Sequence, residues 1–240
     1  MSQRQSRDTR QGEQVIKPHS GNTSPEQPGL WHRAPHAPRW AVLLAFVAVG
    51  LLLAALPDRL SIGPRWLPLA AVVILLPLIV VPWLTKHPPR PKTMRLVVLL
   101  LLGILTLALL SGAFLLMTTL PRRTEKQAGS LLREAALLWA SNVLVFALWY
   151  WELDGGGPLQ RHLRGQQAGD FLFPQQTSGN PSGWVPHFVD YLFLAFTGAT
   201  AFSPTDTLPL SRLAKVLMIL EALISLVILV VLAARAVNIL

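Results

Sequence analysis

The sequence predicts an all-α, polytopic membrane protein with five transmembrane helices and a re-entrant half-helix, or six spans if that half-helix crosses the bilayer. Long apolar runs without internal charge are the first indication, because a hydrocarbon core about 30 Å thick takes roughly 17–25 apolar residues to cross as a helix. Tryptophans at or near the ends of these runs are the second, since indoles favour the membrane interface. The alternating polarity of a membrane β-barrel is absent from the sequence.

Residues 1–39 are predicted to form a disordered, basic N-terminal tail. They are rich in Gln, Ser, Pro, Arg and His and hold few large apolar side chains, so they cannot offset the entropy of ordering. The net charge of +9 comes largely from this tail and from short loops. This distribution indicates contact with anionic lipid. Nucleic-acid binding is not expected, because the sequence has no basic face with interleaved aromatic residues. The expected location is the cell membrane, with several passes.

Three transmembrane helices are predicted within residues 40–118, in the runs 41–57, 66–84 and 96–117. Each run is apolar around its whole circumference, as a helix in contact with lipid is expected to be. A second module is predicted over residues 131–240, and it begins with a fourth apolar run at 135–151.

The fourth helix carries polar residues on one side. Glu134, Ser141 and Glu152 fall near one line at about 100° per residue. Asn142 lies beside that line, and we expect its amide to hydrogen-bond a neighbouring helix.

The stretch WELDGGGP, residues 151–158, is predicted to end this helix, because glycine adopts the left-handed cap and proline cannot continue the helix. Glu152 and Asp154 then oppose the helix dipole. Two explanations remain open: Arg161 or Arg164 folds back onto the carboxylates, which is the favoured interpretation, or they collect a cation at a pore mouth. The alternating acidic ligands of an EF-hand are missing.

A polar segment, residues 159–187, is predicted to be a loop outside the membrane. It leads into FVDYLFLAFTGATAF, which is short for a full span and suits a re-entrant or interfacial helix. The stretch SPTDTLPLSR then turns the chain into a last long apolar run at 216–234.

The sequence from Asp190 to Leu240 resembles the C-terminal part of an uncharacterised family of bacterial integral membrane proteins. Both resemble a degenerate version of the two-helix pore region of tetrameric potassium channels, in which a half-helix ends in a Thr-Val-Gly-Tyr-Gly-Asp filter. The matching positions here read TGATAFSPTD, so only Gly198 could supply a filter glycine, and potassium selectivity is not implied. The resemblance implies an ion pathway at Thr197, Gly198, Thr200, Ser203, Thr205 and Asp206.

Glu221 and Ser225 fall near one line of the last helix, and Glu221 is flanked by apolar sequence on both sides. A carboxylate at the centre of a membrane helix costs about 2.5–3.5 kcal/mol on the insertion scale, so it is expected to face a partner, water or a bundle interior. Two interpretations stand equal: Glu221 and Ser225 belong to the ion pathway, or Glu221 is a buried carboxyl bonded to a residue such as Asn142.

The leading functional hypothesis is a cation-permeable channel subunit that passes monovalent cations and is a homo-oligomer if it conducts. A nonconducting membrane scaffold or accessory protein is the alternative, and a secondary transporter ranks third because no inverted repeat is evident. The chain is not expected to be an enzyme. It has no cysteine, and its sequence shows no nucleophile, histidine and acidic residue in the arrangement of a catalytic triad. No cofactor and no metal site are expected.

Overall fold

The computed structural model describes residues 40–84, 91–119, 128–181, 183–200 and 206–237, and the predicted tail lies outside them. The described residues form helices α1 (Trp40–Ala54), α2 (Leu67–Leu84), α3 (Pro91–Thr119), α4 (Ala128–Leu153), α5 (Pro158–Leu163), α6 (Phe188–Thr200) and α7 (Arg212–Val237), with strands β1 (Phe171–Leu172) and β2 (Leu208–Pro209). Each of the five long apolar runs forms a helix, as predicted.

Three helical segments are long and apolar enough to cross a membrane. They are Thr93–Thr119, Gly129–Leu163 and Arg212–Ala234. The apolar helices Trp40–Ala54, Leu67–Leu78 and Phe188–Thr200 are shorter. A mostly helical chain with three such segments agrees with the predicted class of helical membrane protein.

Helix α4 lies at the centre of the bundle, where it contacts α1, α3, α6 and α7. Its buried side chains include Leu138, Phe146 and Tyr150. The outer helices show leucine, valine and phenylalanine on their exposed side as well, for example Phe114 on α3 and Leu223 on α7. Apolar side chains on both sides of a helix match a bundle whose surroundings are hydrocarbon.

Two polar contacts join α4 to its neighbours away from the candidate site. Near its N-terminal end, Glu134 is buried and accepts a hydrogen bond from Arg59, in the 3-10 turn Asp58–Leu60 that follows α1. Nearer its C-terminal end, the indole N–H of Trp149 donates to the hydroxyl of Thr106 on α3 over 2.9 Å. These contacts join α4 to α3 and to the turn that follows α1.

The segment between α4 and α6 has more regular structure than the sequence indicated. It holds α5, strand β1 and a 3-10 turn at Pro174–Gln176. Strand β1 pairs antiparallel with β2, with Phe171 opposite Pro209 and Leu172 opposite Leu208. The strand pair joins the segment before α6 to the segment after it, and this pairing positions the candidate site.

Candidate ion-pathway site

Helix α4 ends where the glycine run predicted. The last residue of α4 is Leu153, and Gly155 follows with φ of 59° in the left-handed region that glycine enters without steric cost. Pro158 is the first residue of α5, where its missing N–H leaves no helical hydrogen bond unmade. The chain therefore turns sharply and leaves Asp154 buried at the end of α4.

The carboxylate of Asp154 is the acceptor that organises this end of the bundle. Its Oδ1 accepts the backbone N–H groups of Asp170, over 2.7 Å, and of Phe171, over 3.1 Å. Its Oδ2 accepts the hydroxyl of Tyr191 in the first turn of α6. One carboxylate thus connects α4, the start of β1 and the start of α6.

Arg161 supplies the positive charge that pairs with Asp154. It is 3 % exposed, its Nη1 lies 4.0 Å from Oδ2 of Asp154, and it donates to the backbone carbonyls of Trp151 and Asp154 over 2.7 and 2.8 Å. The guanidinium also stacks on the rings of Trp151 and Tyr191, at 4.8 and 5.2 Å from their centroids. The prediction that an arginine folds back is confirmed for Arg161 and Asp154. Arg164 is exposed, and Glu152 is half-buried at the same helix end.

Helix α6 begins next to this cluster and points into the bundle. Asp190 accepts the backbone N–H of His187 over 2.7 Å and so caps the first turn. The helix packs against α4 and α7. With 13 residues it is about 20 Å long at roughly 1.5 Å per residue. It is therefore shorter than a hydrocarbon core of about 30 Å, as is α1 with its 15 residues.

The C-terminal end of α6 meets α7 beside Glu221. The hydroxyl of Ser225 donates to the carbonyl of Ala199 over 2.6 Å. A Cβ built on Gly198 would lie 3.0 Å from Oε2 of Glu221, so the glycine lets the α6 backbone approach the carboxyl group. Glu221 lies about 14 Å along α7 from Arg212, at roughly 1.5 Å per residue, which is close to half the thickness of a bilayer core.

Glu221 is fully buried between three helices and takes its partners from α4. Tyr150 donates its hydroxyl to Oε2 of Glu221, and the amide of Asn142 donates to the backbone carbonyl of Glu221 over 3.1 Å. The expectation that Asn142 bonds a neighbouring helix is confirmed. The expected bond from Asn142 to the Glu221 carboxyl goes to its backbone instead, and the carboxyl accepts from Tyr150.

The structure brings together only part of the predicted pathway set. Gly198, Glu221 and Ser225 meet at the α6–α7 contact, whereas Asp206 is exposed near β2. The hydroxyl of Thr197 donates to carbonyls of Phe193 and Leu194, and that of Thr200 to carbonyls of Phe196 and Thr197, all within α6. Ser203 and Thr205 lie outside the described residues.

Sequence reasoning missed the two tyrosines. The chain contains two, and each donates its hydroxyl to a buried carboxylate: Tyr150 to Glu221 and Tyr191 to Asp154. A buried carboxylate needs a donor, and tyrosine brings one into an apolar helix at low cost. The need of a buried carboxylate for a hydrogen-bond donor could therefore have pointed to both tyrosines.

Comparison with protein-family models, with curated proteins and with solved structures finds no match to this chain. The resemblance of residues 190–240 to a potassium-channel pore region therefore stays a prediction.

Proposed function

We propose that this protein is one subunit of a homo-oligomeric, cation-permeable channel in the cell membrane, with α6 as a re-entrant half-helix. The observation that carries the proposal is the strand pair. Strand β1 precedes α6 and β2 follows it, and they pair antiparallel, with a further bond from the N–H of Leu210 to the carbonyl of Asp170 over 2.8 Å. The segments before and after α6 are thus joined, which supports a re-entrant path for α6.

Helix lengths support the hypothesis that α6 is a re-entrant helix. Helices α4 and α7 have 26 residues each, or about 39 Å at roughly 1.5 Å per residue, twice the length of α6. Under the proposal, α1 to α4 and α7 are the five spans. Helix α1 has 15 residues, only two more than α6, so the strand pair and not length distinguishes α6 from α1. Four crossings then separate Trp40 from Asp154, so the α6 hairpin opens on the side of the membrane where α1 begins.

Cations are the proposed permeant species because of the charge at the C-terminal end of α6, around Thr200, which we call its inner end. The last carbonyls of a helix carry a partial negative charge, and the inner end of α6 lies beside the carboxyl of Glu221. A half-helix that ends near the bilayer midplane places this negative end where a cation has lost most of its water. The absence of a glycine-rich filter motif in TGATAFSPTD favours nonselective permeation of monovalent cations.

A homo-oligomer follows from the same geometry. A pore bordered by the inner end of α6 requires several copies of α6 around one axis. The exposed side of α6 carries Val189, Phe193 and Phe196, which would face neighbouring subunits or lipid.

A nonconducting membrane scaffold or accessory protein is the second candidate. One observation favours it: Glu221 is 0 % exposed and its carboxyl accepts the hydroxyl of Tyr150, so it does not line an open passage within the subunit. In that case the same hairpin would only support the packing of α4 and α7.

Thiol accessibility tests the hairpin first, because the chain has no native cysteine. Arg164→Cys and Asp206→Cys place thiols at exposed positions before and after α6, and Gly129→Cys places one at the other end of α4, where nothing lies within 4 Å of a new Cβ. We expect a membrane-impermeant reagent to label the first two from one side of the membrane and the third from the other. Labelling of Arg164→Cys and Asp206→Cys from opposite sides would mean six spans and would remove the channel in favour of a scaffold or transporter.

Ion flux tests conduction directly. Purified protein in liposomes is expected to pass sodium and potassium, and flux is expected to fall about tenfold or more in Gly198→Val, whose side chain collides with Glu221. Gly103→Val, at a glycine with nothing within 4 Å of a new Cβ, is the matched control. A re-entrant hairpin with no flux in well-folded wild-type protein would support the scaffold instead.

A further inference from the structure

We infer that Glu221 and Asn142 form a binding site for one monovalent cation inside each subunit, between α4, α6 and α7. The inference goes beyond the proposed channel, because the site is assembled within a single chain and needs no pore. It stands on two buried acceptor oxygens without donors, one on each of two residues that a hydrogen bond joins.

Both residues are 0 % exposed. The Oε1 of Glu221 and the Oδ1 of Asn142 have no hydrogen-bond partner in the part of the chain that the structure describes. The donors nearby are committed elsewhere: Tyr150 donates to Oε2, and the amide nitrogen of Asn142 donates to the Glu221 carbonyl. The two oxygens without donors therefore belong to residues that one hydrogen bond joins, from the Asn142 amide to the Glu221 backbone.

Two buried acceptors without donors are unfavourable, and a carboxylate more so than an amide. The described elements shown to contact Glu221 bring no positive charge to it. Helix α4 presents Tyr150 and Asn142, α6 presents Gly198, and α7 presents Ser225, which donates to Ala199. No lysine, arginine or histidine pairs with Glu221 among the described residues. A bound cation relieves both acceptors at once.

The charge of the site selects a monovalent cation. In its ionised form Glu221 contributes one negative charge, while Asn142 contributes a neutral oxygen ligand and Tyr150 stays a donor to Oε2. A divalent ion would leave a positive charge in the low-dielectric interior. Oxygen ligands suit sodium and potassium, and the same Oε1 accepts a proton, so protons compete at the site. Within the described residues no group of three or more His, Asp or Glu side chains could hold a multivalent metal.

Occupancy of the site is expected to hold α6 against α7. Gly198 brings the α6 backbone to the Glu221 carboxyl, and one turn further along α7 Ser225 holds the Ala199 carbonyl. A cation at Glu221 therefore neutralises the carboxyl at the contact that fixes the inner end of α6.

Cation-dependent stability of the purified protein tests the site. In detergent at pH 8 and constant ionic strength, the melting temperature of wild-type protein is expected to rise saturably when sodium or potassium replaces choline, because a ligand that binds only the folded state stabilises it. Lower pH should weaken the apparent sodium affinity. Glu221→Gln keeps the shape, removes the charge and should abolish the sodium effect; Asn142→Ala should weaken affinity by about tenfold or more.

Glu134→Gln is the matched control, since Glu134 is also a buried carboxyl but is paired with Arg59; it should keep the sodium response. If Glu221→Gln does not fold, binding of radioactive sodium to wild-type protein, with competition by protons, replaces the variant. A sodium response that survives in Glu221→Gln, or wild-type protein that responds to pH but not to sodium or potassium and binds no radioactive sodium, would overturn the proposal. Sodium binding without ion flux would reject the channel and keep the site. Ion flux without sodium binding would reject the site and keep the channel.

Discussion

Replacing Asp154 with alanine removes the acceptor that joins the end of α4 to β1 and α6. The change leaves the N–H groups of Asp170 and Phe171 and the hydroxyl of Tyr191 without their partner in a buried environment. It also leaves Arg161, which is 3 % exposed, without its counter-charge. The effect on stability follows from these four lost contacts.

The magnitude is set mainly by the buried charge. Removing one partner of a buried ion pair costs about 3–5 kcal/mol, and a buried donor left without an acceptor costs roughly 1–3 kcal/mol, with values that do not add. Arg161 keeps its bonds to two backbone carbonyls and its contacts with two rings. We therefore expect Asp154→Ala to lower the free energy of unfolding by about 3–5 kcal/mol, a large part of the roughly 5–15 kcal/mol that holds a typical fold.

Two measurements check this expectation. Unfolding in mixed detergent micelles gives the free-energy change, and hydrogen exchange should show faster exchange at the amides of Asp170 and Phe171. The matched control is Asp58→Ala: the Asp58 side chain is 81 % exposed and lies 3.9 Å from Arg65, so its loss should cost no more than about 1 kcal/mol. Asp154→Asn keeps an acceptor oxygen and should fall between the two.

The reasoning would be refuted if Asp154→Ala and Asp58→Ala destabilised the protein equally. Unchanged exchange at Asp170 and Phe171 would separately show that the carboxylate does not hold the start of β1.

Two further substitutions test contacts of α4 and α6. Trp149→Phe removes the indole donor to Thr106 and is expected to cost about 0.5–1.5 kcal/mol, measured by the same micelle unfolding; no change would mean that this bond does not help to join α3 and α4. Gly198→Val is expected to cost about 1–3 kcal/mol by overpacking against Glu221, whereas Gly103→Val, where nothing lies within 4 Å of a new Cβ, should cost less than 1 kcal/mol; equal losses would contradict the close approach of α6 to α7.

The end of α4 was predictable from local chemistry. A run of glycines followed by proline stops a helix wherever it occurs, and a carboxylate at a helix C-terminus needs a nearby positive charge, which Arg161 supplies seven residues after Asp154. The strand pair was not predictable, since two-residue strands 36 positions apart carry no periodic pattern.

The pairing of the polar residues within the bundle could not be predicted from the sequence either. Tyr150 meets Glu221 across 71 positions, and Tyr191 meets Asp154 across 37. Such pairs depend on how α4, α6 and α7 are rotated against one another. No local propensity of the chain specifies that rotation.

The sequence by itself determined that this chain forms long apolar helices and that α4 ends at its glycine run, because apolar length, glycine and proline act locally. Only the tertiary structure decided which face of each helix is buried. In a water-soluble protein the polar face reveals the buried one, but here Leu223 on the exposed side of α7 and Ile228 on its buried side are equally apolar. Hydropathy therefore cannot separate core from lipid, and the positions of the few polar partners, such as Tyr150 beside Glu221, follow only from helix packing.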